Sequence, residues 1–162
     1  MTARGELADE ESLDAITDAL LTASRLLVAI SARSIASVDE SLTIAQFRTL
    51  VILSNEGPVN LATLAGLLDV QPSTVGRMVD RLVTTGLIDR RAHPHSRREV
   101  VVELTRPGRR VVRDVTAHRR HEIARVVEQM PRRERHGLVR ALTAFTAAGG
   151  EPAARLDVDE HL

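Results

Sequence analysis

The residues best placed to do chemistry in this 162-residue chain lie between Ser73 and Arg98, and their pattern suits nucleic-acid recognition. In the run PSTVGRMVDRLVTTGLIDRRAHPHSRR, Val75, Met78, Val79 and Leu82 recur at helical spacing and must face a core. Ser73, Thr74, Arg77 and Arg81 fall on the opposite face; all are hydrogen-bond donors and none is acidic. A helix that shows donors outward and runs into a basic loop suits a major groove and a neighbouring groove. Taken alone, the segment is also compatible with a solvated surface helix. Its surroundings favour the reader of DNA.

Composition narrows the alternatives. The length fits one domain, or one domain with extra helices, and allows a real core. No stretch approaches the roughly 20 apolar residues of a membrane span. The N-terminus, MTARGELADEE, is acidic and lacks a basic-then-apolar leader pattern, so a cytoplasmic protein is expected. There is no cysteine, which removes disulfide scaffolds, cysteine zinc sites and thiol-based oxidant sensing. Phe47 and Phe145 are the only aromatic residues besides histidine, too few for a base-stacking platform. No Gly-rich phosphate loop, Ser-His-Asp set or paired carboxylates on one face appear, so no enzyme and no cofactor are expected.

Twenty-two basic residues balance 22 acidic ones, but unevenly along the chain. Residues 1–40 hold eight acids against three arginines, whereas residues 71–113 hold ten arginines against four acids. The positive charge therefore gathers around the reading helix and the loop after it, which favours nucleic acid over an acidic protein partner. Every basic residue is arginine; a GC-biased genome explains this as readily as phosphate recognition does.

The elements that position these residues are mostly helices. Leu13, Ile16, Leu20, Leu27 and Ile30 mark a long first helix from about Ser12 to about Ser37. Thr43-Ile44-Ala45-Gln46 reads as a capping box opening a second helix that stops at Gly57. Pro58-Val59 is a short extended link. Asn60 caps a third helix with Leu61, Leu64, Ala65 and Leu68 inward. After the turn Asp69-Val70-Gln71, Pro72 starts the reading helix, which ends at Gly86. Leu87-Ile88 and Glu99–Leu104 read as two strands, the second with Val100, Val102 and Leu104 on one side of it. Thr105 with Pro107 opens a long helix whose stripe runs Val111, Val115, His118, Glu122, Val126; Met130-Pro131 breaks it, and a last helix carries Leu138, Leu142 and Phe145.

The third helix, tight turn and reading helix make a helix-turn-helix, and the hairpin behind them makes it winged. The fold class is thus mainly α with a small β-hairpin wing, flanked by long terminal helices. We divide it into an acidic N-terminus with a first dimerisation helix (1–42), the winged unit (43–105), C-terminal dimerisation helices (106–150) and a flexible tail (151–162). The terminal stripes exceed what the winged unit can cover, so an obligate homodimer is expected.

The run LATLAGLLDVQPSTVGRMVDRLVTTGLIDRRAHPHSRREVVVELTRPGRRV resembles the MarR family of multiple-antibiotic-resistance-type regulators. The shared pattern is a leucine-rich helix, S-T-V-x-R-x-V-D-R-L, G-L-I-x-R, a P-x-x-R-R wing tip and L-T-x-x-G, closed by Leu104, Thr105 and Gly108. The resemblance, over about residues 12–148, implies a homodimeric winged-helix regulator, usually a repressor, on a near-palindromic operator. It further implies release from DNA by small acidic or phenolic compounds. Ser96 stands where the family commonly has an aspartate that braces the hairpin, which bears on the rigidity of the wing.

Residue roles follow. Gln71, Ser73, Thr74 and Arg77 open the reading helix, the part that reaches base edges. Arg77 suits a guanine contact or a phosphate, Gly76 a close backbone approach or an incidental small residue, and Arg81 a phosphate or a pair with Asp80. By resemblance, Arg98, with Arg97 beside it, is the wing arginine that enters the minor groove, where it reads groove width. Arg90 and Arg91 are phosphate clamps or solubility charges. Asn60 and Thr63 could offer donors to phosphate, though capping accounts for Asn60 by itself.

An effector site, by the same resemblance, would lie near the first, second and fifth helices, with Phe47, Arg48 and His118 as candidates that also have core or surface explanations. His118, His121 and Glu122 have a spacing compatible with metal, which gives a metal-responsive regulator as one alternative; an interfacial histidine is the commoner outcome, and no metal site is assigned. A winged helix binding protein or architectural DNA without operator specificity is the other.

Overall fold

The computed structural model describes residues 12–151. The acidic N-terminal run and, Glu151 excepted, the tail expected to be flexible lie outside the described residues. The elements are α1 (Leu13–Ala36), α2 (Ile44–Glu56), β1 (Val59–Asn60), α3 (Leu61–Leu68), α4 (Pro72–Thr84), β2 (Ile88–His93), β3 (Ser96–Leu104), α5 (Arg106–Gln129), α6 (Arg132–Arg135) and α7 (Leu138–Ala148). This is a winged helix-turn-helix between long terminal helices.

Local capping explains where the helices begin. Ser12 Oγ accepts the Ala15 N–H at 3.1 Å at the start of α1. Thr43 and Gln46 close a reciprocal box on α2: Thr43 Oγ1 accepts the Gln46 N–H at 3.2 Å, and the Thr43 N–H donates to Gln46 Oε1 at 2.9 Å. Thr105 Oγ1 accepts the Gly108 N–H and donates to the Gly86 carbonyl at 2.6 Å, tying the start of α5 to the end of the reading-helix loop. Gly108 is dictated by packing, because a Cβ there would stand 2.1 Å from the Leu87 carbonyl oxygen.

The sheet departs from the expected hairpin in three ways. Val59-Asn60, read as a link, is a third strand, giving the antiparallel order β1-β3-β2. Both wing strands run farther toward the tip than the apolar pattern predicts: pairing continues in register through Arg90 and Arg91 from Ile88↔Leu104 to Ala92↔Val100, then shifts, leaving residues 97–99 without a partner on β2 before His93↔Ser96. Val100 is exposed while Val101 and Val102 are both buried. The cause is β1, which pairs with β3 only at Val101 and Val102, so Val100 lies on the part of the wing that projects beyond it.

Leu50, Leu64, Val75, Val79, Leu82, Ile88, Val102 and Val115 make up the fully buried centre, drawn from α2, α3, α4, the wing base and α5, with Ile35 of α1 sealing one side. On α5 the expected stripe holds at Val111, Val115, Glu122 and Val126, which are buried or half-buried, and departs at one position. Val115 is buried, but His118 is exposed, and Arg119 lies on the inner side with its Nε buried and unpaired. From Val115 a spacing of three or four residues serves equally, and packing takes the second.

Contrary to the expectation from composition, α1 is long and apolar enough to cross a membrane, by length and composition alone. Leu13, Leu21, Leu26, Leu27 and Val28 are exposed along it, and only Ile30, Ser34 and Ile35 are buried. Its hydroxyls raise the apolar character further: Thr17, Thr22 and Ser31 donate to carbonyls one turn back rather than outward. Arg25 interrupts it midway, and Arg33 reaches Glu122 of α5 at 3.6 Å.

Candidate nucleic-acid interface

The reading helix α4 is clamped from behind and open in front. Val75, Val79 and Leu82 are buried, and Met78 is half-buried beneath the Thr49 hydroxyl, which donates to its sulfur at 2.9 Å. Ser73, Arg77 and Arg81 are exposed, with Thr74 at the margin. The turn before α4 places Asp69 in the left-handed region at φ 53°, an uncommon conformation that a short polar side chain tolerates. Gln71 occupies the N-cap of α4 without a side-chain capping bond and is exposed. Gly76 is half-exposed, and a Cβ built there meets nothing within 4 Å, so no contact inside the protein requires a glycine.

Arg77 and Arg81 also line a shallow cleft of about 220 Å³ with Thr43, Ala45 and Gln46 at the start of α2. Two guanidiniums beside a helix N-terminus form a surface suited to an anion such as a backbone phosphate. Sequence alone does not place α2 beside these arginines; the Thr43–Gln46 capping box that starts the helix is legible there, but its position against α4 is not. Asp80 does not pair with Arg81, one of the two options left open; its carboxylate pairs with Arg90 of β2, joining the reading helix to the wing base.

The wing is held at several points. Arg91 pairs with Glu103 at 2.6 Å, and Asn60 Nδ2 donates to Glu99 Oε1 at 2.5 Å. At the tip, the His95 N–H donates to His93 Nδ1 at 3.2 Å. Arg98 is exposed on the projecting part of β3. Arg97 precedes it in the strand, and its side chain is outside the described residues. Arg90 and Arg91, read as clamps or solubility charges, both have carboxylate partners within the protein. Asn60 caps α3 through Oδ1, which accepts the Thr63 N–H at 2.8 Å, while its amide nitrogen is engaged with Glu99. Thr63 itself is exposed near the start of α3.

Gln71, Ser73, Thr74, Arg77 and Arg81 thus share one helix and the turn before it, with Arg98 on the adjoining wing. The effector candidates are not gathered in this way. Phe47 is in the core, 4% exposed; Arg48 is exposed and lies 3.5 Å from Glu151; His118 is exposed on α5. His118, His121 and Glu122 do not form a metal cluster either: among the described residues no group of three or more His, Asp or Glu side chains could hold an ion. The Glu122 carboxylate is shared between Arg33 at 3.6 Å and Arg125 at 3.7 Å.

A family model described as "MarR family" matches residues 42–100, the winged unit up to the middle of β3. The crystal structure of RV1404 from Mycobacterium tuberculosis superposes with a TM-score of 0.83 at 76% identity, covering 91% of this chain and 100% of that one. An uncharacterized HTH-type transcriptional regulator, Mb0904 of Mycobacterium bovis, is 29% identical over 94 residues, 58% of this chain and 66% of that protein. The HTH-type transcriptional repressor NicR of Pseudomonas putida is 39% identical over 70 residues, 43% of this chain and 44% of NicR. The chain therefore spans about half to two thirds of the length of these two curated relatives.

Proposed function

The chain belongs to the MarR family, and we propose that it is a sequence-specific double-stranded DNA-binding transcriptional regulator that acts as a homodimer. The observation that carries this reading is the outer face of α4: Ser73, Thr74, Arg77 and Arg81 turned away from the core beside a braced wing that presents Arg98. In this reading Arg77 reaches a base edge, while Arg81 and the start of α2 seat a phosphate. Gln71 and Thr63 contribute donors, Gly76 admits a close approach of the backbone, and Arg98 with Arg97 enters the adjoining minor groove.

The homodimer is supported by what a single chain leaves uncovered. Leu13, Leu21 and Val28 on α1, and Val139, Leu142 and Phe145 on α7, are exposed, and α7 has no buried residue. Apolar surface on this scale marks an interaction face, and a two-fold partner would pair like with like. Two reading helices would then face half-sites about 34 Å apart on a near-palindromic operator. We place the protein in the cytoplasm as a repressor, released by a small acidic or phenolic effector that binds its two arrangements unequally.

A fluorescence-anisotropy titration at physiological salt tests the core of this reading. DNA from upstream of the protein's own gene is compared with a scrambled duplex and with duplexes selected from random sequence. A preference of about 10³-fold or more for one palindromic sequence is expected. Equal binding to every duplex, selected ones included, would identify an architectural binder instead. Thermal-shift screening with salicylate-like acids and phenols, read in parallel, is expected to give a stabilising ligand; a silent screen would mark a constitutive repressor.

A further inference from the structure

One carboxamide joins the helix-turn-helix to the wing. Asn60 pairs with Val101 in the sheet, and its side chain caps α3 through Oδ1 while Nδ2 holds Glu99. The two bonds leave opposite ends of a planar group, so the course of β3 is referred to the first turn of α3. Past Val101 the β1 edge has ended, and β3 runs to the tip with only β2 beside it. The register against β2 then shifts from Ala92↔Val100 to His93↔Ser96, so residues 97–99 fall in the irregular stretch of β3, where the Asn60 bond holds Glu99 directly beside Arg98. Glu103, within the regular part of the ladder, is held by Arg91. Both glutamates of β3 are thus engaged by the protein.

We propose that Glu99 is a positioning residue for DNA binding: with Asn60 it forms a latch that sets the angle of the wing and so delivers Arg98 to its groove. The proposal rests on the DNA-binding reading above. Ser96 lacks the carboxylate that would brace the tip from within, and the latch braces the wing from its base. Charge alone argues the other way, because a carboxylate on a DNA-facing strand repels phosphate and its removal should tighten binding. The latch requires that its removal weaken binding. The two accounts differ in sign.

The experiment compares the full chain with Glu99→Gln, Glu99→Ala and Asn60→Asp, each with and without Arg98→Ala. Anisotropy is read on the preferred duplex, or on a scrambled duplex at low salt if none is preferred. Amide exchange of residues 92–98 is followed without DNA, and thermal midpoints establish that every variant is folded. Gln can still accept from Asn60, so Glu99→Gln should bind within about twofold of the native chain. Glu99→Ala should bind roughly tenfold more weakly, the scale of one lost charge-assisted hydrogen bond. Asn60→Asp keeps the cap but sets two carboxylates face to face, and should behave like Glu99→Ala.

In the Arg98→Ala background all three should have no further effect, as coupled residues require. Wing amides should exchange faster in Glu99→Ala and Asn60→Asp but not in Glu99→Gln. Binding by Glu99→Ala as tight as native, unchanged wing exchange, or an equal loss without Arg98 overturns the proposal. Absence of any DNA binding by the native chain would instead overturn the functional reading, while the exchange data still decide whether the latch exists.

Discussion

Arg77 on α4 and Arg98 on the wing are both exposed, and the proposed interface gives them different work. Arg77 stands on a helix face whose donors could meet base edges. Arg77→Ala is therefore expected to relax preference at one position per half-site, by about 1–3 kcal/mol, in binding to a panel of single-base operator variants. A uniform loss across the panel would make it a phosphate contact. Arg98→Ala should weaken binding to every duplex with little change in preference, as a groove-width contact would; unchanged affinity would remove the wing from the interface.

Two glycines differ in what packing asks of them at the same scale. Gly76 has open space where a Cβ would stand, so Gly76→Ala should stabilise the fold by about 0.5–1 kcal/mol in urea unfolding while weakening DNA binding. Gly108→Ala should destabilise by about 1–3 kcal/mol, because the new methyl meets the Leu87 carbonyl, which is backbone, with the Leu104 side chain close behind. The α4 glycine and the α5 glycine look alike in sequence; only their surroundings distinguish them.

At the scale of elements, the start of α2 matters twice. The Thr43–Gln46 box fixes where the helix begins, and the same turn forms one wall of the cleft shared with Arg77 and Arg81. Thr43→Ala is expected to cost about 1 kcal/mol of stability, measured by the thermal midpoint, and to weaken DNA binding through the displaced phosphate seat. A stability loss with unchanged affinity would separate the cleft from the interface. The wing is a second such element. Its pairs, Arg90 with Asp80 and Arg91 with the half-buried Glu103, each keep an exposed guanidinium and add little stability singly. Their value lies in orientation, since one joins the wing to the reading helix and the other joins its two strands.

At the scale of the molecule, the winged unit closes its core with help from Ile35 of α1 and Val115 of α5, while the rest of the terminal helices stays largely uncovered. Exposed Leu26 and Leu27 on α1 and Leu142 and Phe145 on α7 are the residues that a second copy would cover. Leu142→Arg combined with Phe145→Arg should shift sedimentation toward the monomer and lower the thermal midpoint at dilute protein concentration. The pair should also abolish preference for a palindrome over an isolated half-site. A variant that sediments and melts like the native chain would place the dimer interface elsewhere. In the proposed dimer the membrane-compatible composition of α1 would have the same origin, because a helix covered by a like helix is apolar on more than the one face its own domain uses.

The sequence by itself determined the longer helices, their caps and the two faces of α4, though not the short α6 (Arg132–Arg135), because a cap or a helical stripe is written within three or four residues of its own partner. Thr43 with Gln46, Asn60 with Thr63 and Thr105 with Gly108 are all of this kind. Tertiary structure alone decided that Val59-Asn60 is a strand, that the wing strands extend through arginines, and that α5 turns Arg119 rather than His118 inward. It alone decided that Asp80 belongs to Arg90, and that Asn60 reaches Glu99, 39 residues away. Local rules are silent on such pairings, because their partners meet only after the core has brought distant segments together.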